Sequence, residues 1–261
     1  MSDSVQSAQS RLTSLRAMAL NAANEGGAWI LHRLEGWVLR HSEIETTPFL
    51  SPEPFPWVKL LEDGFDAIRT ELDDVLRYRD DLPNFQDIST DQASITNDDR
   101  WKTYFLFGFG FKSEANCARC PETTRLLEQV PGMTTAFFSI LSGHKHIGEH
   151  RGPWRGIIRY HLALKIPEPA DQCGISVGGE VAHWQEGKSL LFDDGYEHFA
   201  WNDTDGVRVV LFVDVLRPLR QPAEWVNKGL IKAISVSPYV RDGKARERDW
   251  ERRFEMLRGK S

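Results

Sequence analysis

Residues 157–166 read IIRYHLALKI, and their alternation is typical of a β-strand with two different faces. Because successive side chains of a strand point to opposite sides, Arg159 and His161 lie on one face. The other face is apolar or aromatic and carries Ile158, Tyr160, Leu162 and Leu164. This strand therefore presents one face for hydrophobic packing and a second face on which an arginine and a histidine are neighbours.

Residues 207–215, which read VRVVLFVDV, show the same alternation. Arg208 lies opposite a row formed by Val207, Val209, Leu211 and Val213. A guanidinium on a half-buried face needs an anion, because the burial of an unpaired charge is costly. Two kinds of partner remain open for Arg159 and Arg208. One is a structural carboxylate such as Asp214 or Asp193, and the other is the carboxylate of a bound ligand.

Short stretches of this kind recur through the middle of the chain, separated by Gly and Asp turns. The predicted strands cover residues 104–107, 134–141, 159–166, 175–177, 189–192 and 208–215. Helical periodicity flanks them at 11–41, 57–76, 121–130 and in the C-terminal region, and the polar stretch 84–100 is predicted to be a loop. We therefore predict a mainly β fold with flanking helices, a double-stranded β-helix of the jelly-roll or cupin-like type. The barrel is expected at 49–220, with helical extensions at 1–48 and 221–261.

The composition is that of a globular chain of 261 residues, with 41% hydrophobic residues and a formal net charge of −6. The negative net charge argues against nucleic-acid binding, which favours a basic surface. No run of about 20 apolar residues is present, and the first residues lack the basic and apolar segments of a secretion signal. We therefore expect a cytoplasmic protein.

The chain has three cysteines, Cys117, Cys120 and Cys173. An odd number of cysteines without a secretion signal indicates a reducing compartment. Cys117 and Cys120 have the C-x-x-C spacing of zinc and redox sites, but a second pair of zinc ligands and the βαβ pattern of thioredoxin-like proteins are missing. A structural role is the favoured interpretation of this pair.

Two histidines stand in polar segments of the strand-rich region: His150 in EHRGP, residues 149–153, and His198 in FDDGYEH, residues 192–198. Neutral imidazole binds Fe(II), zinc and copper, so the pair indicates a mononuclear metal site. The usual iron oxygenase triad adds a carboxylate two residues after the first histidine, yet position 152 is Gly. Asp194 and Glu149 are nearby carboxylates, and neither has that spacing.

Four motifs follow one another in the second half of the chain. They are H-x-G-P at 150–153, R-x-H-L-x-L-x-I-P at 159–167, W-x-E-G-K-x-L-x-F-D-D-x-x-E-H at 184–198 and R-x-x-x-F-V-D-V at 208–215. With these motifs the chain resembles the aspartyl/asparaginyl β-hydroxylases, whose bacterial relatives include lipid A and ornithine-lipid hydroxylases. The resemblance extends from about Pro56 to Pro218 and implies an Fe(II)- and 2-oxoglutarate-dependent dioxygenase that uses O2 to hydroxylate a C–H bond.

The resemblance also implies a role for each matched residue. In that family two histidines hold the iron without a carboxylate, which makes Gly152 an expected residue. His150 and His198 would then bind Fe(II), and Asp194 would orient a metal-bound water. The co-substrate 2-oxoglutarate would be bound by Ser139, Arg159, His161 and Arg208, with its distal carboxylate on Arg208 and Ser139.

The resemblance leaves the substrate open. The family name implies an Asp or Asn residue of a peptide, or a free amino acid, whereas the bacterial relatives imply the acyl chain of a lipid. A noncatalytic cupin-like module that binds a metal or a ligand is a further alternative. It is disfavoured because both histidines and both arginines are present.

The C-terminal region, residues 221–261, is basic although the whole chain is acidic. It has 10 Lys and Arg against 6 Asp and Glu, a net charge of +4, so the remainder carries −10. Residues 225–237 are predicted to be an amphipathic helix whose apolar stripe comprises Val226, Leu230, Ala233 and Ile234, with Trp225 at its edge. Packing on the protein's own domain is the favoured interpretation, and peripheral contact with the inner face of a membrane is the alternative. A second helix follows, with residues 246–249 expected in solvent and Trp250, Phe254 and Leu257 on its buried side.

Overall fold

A computed structural model describes residues 33–88, 96–108, 110–152, 154–236 and 238–258. Most of the helix predicted at 11–41 lies outside these residues, and its last part, 33–40, is helical and forms α1. The loop predicted at 84–100 contains one short helix, α4 (Phe85–Ile88), followed by residues 89–95, which lie outside the described part.

Ten strands form two sheets in the described part of the chain. The larger sheet contains, in spatial order, β2 (Phe111–Lys112), β1 (Trp101–Gly108), β3 (Met133–Leu141), β10 (Arg208–Leu216), β5 (Ile157–Lys165) and β8 (Ser189–Phe192). The smaller sheet contains β4 (Lys145–His150), β9 (His198–Asn202), β6 (Cys173–Val177) and β7 (Glu180–His183). All neighbouring strands are antiparallel. The predicted jelly-roll fold with flanking helices is confirmed.

Three strands of the smaller sheet were not predicted: β4, β7 and β9. Their residues alternate between buried and exposed positions or, in β7, are mostly exposed. A strand with a solvent face lacks the apolar run that marks the central strands of the larger sheet, so its sequence signal is weak.

The remaining helices lie around the larger sheet and at the C-terminus: α2 (Pro56–Asp63), α3 (Phe65–Leu76), α5 (Glu114–Arg119), α6 (Pro121–Leu127), α7 (Ala223–Ser235) and α8 (Pro238–Arg258). The single helix predicted from Trp57 to Leu76 is divided at Gly64. A Cβ atom at Gly64 would lie 2.4 Å from Cδ1 of Leu126 in α6. A side chain at this junction would therefore force Leu126 of α6 to move.

The two faces of β5 separate as predicted. Ile158, Tyr160 and Leu162 are fully buried and pack in one hydrophobic cluster with α2, α3 and α6, where the Tyr160 and Trp57 ring centroids are 5.0 Å apart. Full burial of such side chains stabilises the fold by roughly 1.5–3 kcal/mol each. Arg159 and His161 therefore point into the space between the two sheets, where a second cluster of buried residues lies.

The apolar stripe predicted for α7 is partly wrong. The buried residues of α7 are Ala223, Asn227 and Ile231, whereas Val226 and Ala233 are exposed. Leu230 and Ile234 do pack against the cluster beneath the helix. The buried face is rotated because Asn227 has specific partners: it accepts a hydrogen bond from Trp154 Nε1 at 2.6 Å and donates one to the Gly156 carbonyl at 2.7 Å.

The prediction for α8 also needs one correction. Glu247, expected in solvent, is 1% exposed and accepts a hydrogen bond from Asn116 Nδ2 at 3.0 Å. Burial raises the pKa of Glu247 to about 8. Trp250 packs against the core as predicted, and its Nε1 donates to the Asp81 carbonyl at 2.9 Å. The side chains of Phe254 and Leu257 lie outside the described residues.

The three cysteines are free and buried. Burial raises the pKa of the Cys117 and Cys120 thiols, which disfavours the reactive thiolate. These observations support the structural interpretation of the C-x-x-C pair. Among the described helices, none has the length and apolar character needed to cross a membrane.

We predict that Asn227→Leu lowers the free energy of unfolding by about 2–4 kcal/mol. The substitution leaves the buried Trp154 indole N–H without its partner, which costs about 1–3 kcal/mol, and it removes one of the two hydrogen bonds to the Gly156 carbonyl, which keeps the Arg217 N–H. Urea denaturation measures the effect. The matched control is Lys232→Ala on the exposed side of α7, for which a change below about 0.5 kcal/mol is expected. Equal stability of the two variants would show that the Asn227 contacts do not hold α7 in place.

Candidate active site

His150, the last residue of β4, and His198, the first of β9, are partners across the smaller sheet. Their ring centroids are 4.2 Å apart. Nδ1 of His150 lies 2.8 Å from the Gly148 carbonyl oxygen, and Nδ1 of His198 lies 2.9 Å from that of Tyr196. Because a carbonyl oxygen only accepts, Nδ1 carries the proton in both rings and Nε2 keeps its lone pair. Both rings are thus held in the tautomer that binds a metal through Nε2.

The surroundings also keep the two imidazoles neutral. Burial lowers the pKa of His150. Burial, together with the nearby Arg159 and His150, lowers the pKa of His198 to about 3. Neutral imidazole is the metal-binding form. Within the described part of the chain, no three His, Cys, Asp or Glu side chains come together as a metal-binding group, so the histidine pair stands without a third ligand of these types.

Gly152 and Asp194 are in direct contact next to this pair. The Gly152 N–H donates to the Asp194 carbonyl at 2.7 Å. A Cβ atom at position 152 would lie 2.1 Å from Oδ2 and 2.8 Å from Oδ1 of the Asp194 carboxylate. The Asp194 side chain therefore occupies the space that any side chain at position 152 would need. This contact gives a steric reason for glycine where the usual triad has a carboxylate.

Arg159 holds Asp194 in this position. Its Nη2 lies 3.0 Å from Asp194 Oδ2, and its Nε donates to Asp214 Oδ1 at 2.8 Å. Burial raises the pKa of Asp194 to about 7, and Arg159 opposes part of that rise. Oδ1 of Asp194 is buried without a partner among the described residues. Arg159 thus has two carboxylate partners, and structural pairing explains its presence on the inner face.

Arg208 differs from Arg159 in having no carboxylate partner among the described residues. Its side chain is 2% exposed, its Nη1 donates to Ser139 Oγ at 3.3 Å, and its Nε has no hydrogen-bond partner. The guanidinium carbon lies 4.6 Å from the centre of the Trp184 ring. Burial lowers the pKa of Arg208 to about 10, so it stays charged at neutral pH. Asp193, the other carboxylate considered, pairs instead with Arg155 and Arg217, at 2.6 Å each.

His161 and Ser139 lie on the same side of the sheet as Arg208. His161 is 5% exposed, and both of its ring nitrogens lack hydrogen-bond partners in the described structure. Burial, with the charges of Arg208 and Arg159, holds the pKa of His161 well below its usual value. Ser139 Oγ accepts a hydrogen bond from Trp101 Nε1 at 3.0 Å. Arg208, His161 and Ser139 together form a polar patch. Buried polar groups usually have partners, so the unpartnered donors and acceptors of this patch are available to a polar ligand.

Two tryptophans of this patch were not predicted as site residues. Trp184 covers the Arg208 guanidinium, and Trp101 orients the Ser139 hydroxyl. Trp184 begins the motif at 184–198, which is the signal that points to it. Trp101 carries no comparable signal, because its contact depends on the cross-strand pairing of β1 with β3.

An apolar cavity of about 210 Å³ reaches the same centre. Its polar lining includes Arg159, Asp194 and Asp214. Most of the remaining lining is apolar, and phenyl rings dominate it: Phe85, Phe105, Phe111, Phe137 and Phe212. The rings of Phe137 and Phe212 are stacked with centroids 4.2 Å apart. Ile234 of α7 and Val240 and Gly243 of α8 complete the lining, so the C-terminal helices contribute directly to this cavity.

The chain is similar in sequence to several known proteins. The family model described as aspartyl/asparaginyl beta-hydroxylase matches residues 62–218. The ornithine lipid ester-linked acyl 2-hydroxylase of Rhizobium tropici is 48% identical over 216 residues, covering 83% of this chain and 77% of that protein. The human aspartate beta-hydroxylase domain-containing protein 2 is 34% identical over 195 residues, covering 70% of this chain and 50% of that protein.

Among solved structures, one match is the prolyl hydroxylase of Trichoplax adhaerens in complex with a hypoxia inducible factor peptide fragment. It aligns with a TM-score of 0.47 and 12% identity, over 67% of this chain and 83% of that one. The family model covers more than half of the sequence, and it spans all four motifs of the site. The chain therefore belongs to the aspartyl/asparaginyl β-hydroxylase family of hydroxylases.

Proposed function

We propose that this protein is an Fe(II)- and 2-oxoglutarate-dependent hydroxylase that acts on the acyl chain of a lipid. The observation that carries the proposal is the apolar cavity that meets Asp194 and Arg159 beside the histidine pair. An Asp or Asn side chain of a peptide would have to place a polar group among phenyl rings, and an unsatisfied polar group there is costly. The relative from Rhizobium tropici, named as an acyl 2-hydroxylase, supports the lipid over the peptide.

The histidine pair fits a metal ion. Both Nδ1–H groups are engaged by backbone carbonyls, so both Nε2 atoms keep a lone pair for a metal. Two imidazole ligands leave several positions of an octahedral ion for co-substrate, water and O2. We therefore assign Fe(II) to His150 and His198.

The polar patch around Arg208 fits the 2-oxoglutarate carboxylate. A buried guanidinium without an anion and a histidine with two unpartnered nitrogens are the groups that such a ligand would satisfy. When bound, iron and 2-oxoglutarate use O2 to convert a C–H group to C–OH, and they yield succinate and carbon dioxide.

The residues of the chain then have distinct tasks. Arg208 and Ser139 hold the distal carboxylate of the co-substrate, with His161 beside it. Arg159 acts as a positioning residue, because its ion pairs fix Asp194 and Asp214. The Asp194 carboxylate accepts a hydrogen bond from water at the metal site. The phenyl rings exclude bulk water and direct the acyl chain, so that its ester end lies near Asp194 and its tail lies along the apolar wall.

We expect Arg208→Ala to weaken 2-oxoglutarate binding by about one to two orders of magnitude. Hydrogen bonds to a charged group contribute about 1.5–3 kcal/mol, which corresponds to that range. Arg208→Lys keeps the charge but loses the planar pair of donors, so its affinity should lie between those of wild type and Arg208→Ala. Calorimetric titration of the metal-loaded protein without oxygen measures the affinities. An unchanged affinity in Arg208→Ala would contradict the assignment.

A stability comparison separates this ligand role from a structural one. Arg208→Met removes a buried cation that has no carboxylate partner in the described chain, so the ligand-free variant should be at least as stable as wild type in urea. Arg159→Met leaves Asp194 and Asp214 without their cation and should lose about 3–5 kcal/mol. Equal destabilisation by the two substitutions would mean that Arg208 is part of the structural framework.

We predict that Gly152→Ala lowers turnover at least tenfold and that Gly152→Asp does not restore it. The new Cβ must displace the Asp194 carboxylate and disrupt its pairing with Arg159. The matched control is Gly148→Ala in β4, where a Cβ atom meets nothing within 4 Å. Oxygen-dependent 2-oxoglutarate decarboxylation is the measurement. If Gly152→Asp gained iron affinity and kept full activity, the site would be an ordinary triad that has lost its carboxylate.

The substrate class is tested by filling the cavity. We expect wild-type protein to add one oxygen atom to an ornithine lipid with an ester-linked acyl chain, and not to an Asp- or Asn-containing peptide. Gly243→Leu places a larger side chain in the cavity lining, where the nearest atom to a new Cβ is 3.5 Å away. It should lower kcat/KM for the lipid about tenfold and leave 2-oxoglutarate affinity unchanged, because the loss concerns only the acyl chain.

The matched control is Asp242→Leu, one residue away and exposed. Mass spectrometry of the lipid and peptide products measures both outcomes. Hydroxylation of the peptide but not of the lipid would overturn the proposed substrate class.

A further inference from the structure

The outer face of α7 is an exposed apolar strip. Trp225 is 68% exposed, Val226 is 42% exposed and Val236, which follows the helix, is 66% exposed. At 100° per residue, Trp225 and Val236 lie on almost the same side of the helix. The small exposed residues Gly229 and Ala233 lie between these larger side chains. These five residues, Trp225, Val226, Gly229, Ala233 and Val236, are called the outer strip.

Positive charge borders the outer strip. Lys228 and Lys232 are exposed on one flank of it, and Glu224 pairs with Lys228. The region 221–261 carries +4, whereas the remainder of the chain carries −10. Lys228 and Lys232 thus lie beside the outer strip in a segment of the chain with a positive net charge, and positive charge favours contact with an anionic surface.

The inner face of the same helix belongs to the cavity and to the framework of the site. Ile234 lines the apolar cavity. Asn227 is hydrogen-bonded to Trp154 and Gly156, in the segment that joins His150 to the strand carrying Arg159. A surface bound by the outer strip therefore lies one helix away from the cavity, and Asn227 ties that helix to the segment between His150 and Arg159.

We propose that α7 docks on an anionic lipid bilayer, with the outer strip among the acyl chains and Lys228 and Lys232 at the phosphates. An amphipathic helix with Trp and Lys in this arrangement is typical of interfacial binding. A second copy of the chain is a poorer occupant, because a stable interface needs roughly 20–30 residues on each side. Docking by α7 would also bring a lipid substrate close to the cavity, and this consequence rests on the function proposed above. Vesicle binding itself does not.

The test is co-sedimentation of the full chain with vesicles of phosphatidylcholine alone and of phosphatidylcholine mixed with phosphatidylglycerol. We expect binding to the anionic vesicles that weakens with added salt. Trp225→Ser combined with Val236→Ser should lower it at least tenfold, and Lys232→Glu should lower it about fivefold or more. The matched control, Val181→Ser with Phe199→Ser, changes two exposed apolar residues of the smaller sheet and should have no effect.

Several results would overturn the docking proposal. These are no binding to anionic vesicles, equal binding to neutral vesicles, or no effect of the Trp225 and Val236 substitutions. Light scattering measures the oligomeric state. A wild-type dimer that becomes a monomer in Trp225→Ser would show that the outer strip binds a second copy of the chain. Turnover of detergent-dispersed lipid should be unchanged in the Trp225 and Val236 variant. Vesicle binding without lipid turnover would therefore contradict the proposed function and leave the docking proposal standing.

Discussion

The interior of the barrel depends on how its buried guanidinium groups are paired. Arg155 and Arg217 share Asp193, and Arg159 is held by Asp194 and Asp214. Arg208 alone of these four has no carboxylate among the described residues. A buried cation without an anion destabilises the empty protein, and a carboxylate ligand removes that penalty. The carboxylates of the chain thus hold three of these arginines in the framework. The fourth, Arg208, remains available for the co-substrate.

The geometry of the metal site follows from that framework. Arg159 holds the Asp194 carboxylate against Gly152, where no side chain would fit. The carboxylate of this site therefore comes from Asp194, in the loop before β9. In the usual triad it comes from the position two residues after the first histidine, which is Gly152 in this chain. Arg159 and Asp194 both line the phenyl-rich cavity, and the Arg159 guanidinium lies 4.3 Å from the centre of the Phe212 ring. The same ion pair thus borders the space that we assign to the acyl chain.

Much of the fold and of the site could be predicted from the sequence, where the pattern is local. The alternation at 157–166 predicts both faces of β5. The family resemblance carried by the four motifs implies one site for His150 and His198, which are partners between β4 and β9. The choice of Asp214 over Asp193 for Arg159 could not be predicted, because it depends on the register of β10 against β5, which places Asp214 opposite Arg159. The buried face of α7 could not be predicted either, since the partners of Asn227 lie about 70 residues away in the chain. Glu247 is a similar case, because its partner Asn116 belongs to a distant helix.

A crystal structure of the anaerobic complex with Fe(II) and 2-oxoglutarate tests the central claim most directly. The account predicts a metal ion bound by Nε2 of His150 and Nε2 of His198, with no carboxylate of the chain bound to it. It also predicts a co-substrate carboxylate within hydrogen-bond distance of Arg208, and an intact ion pair between Arg159 and Asp194. A metal bound directly by Asp194, or a co-substrate carboxylate on Arg159 with Arg208 left unpaired, would contradict the account.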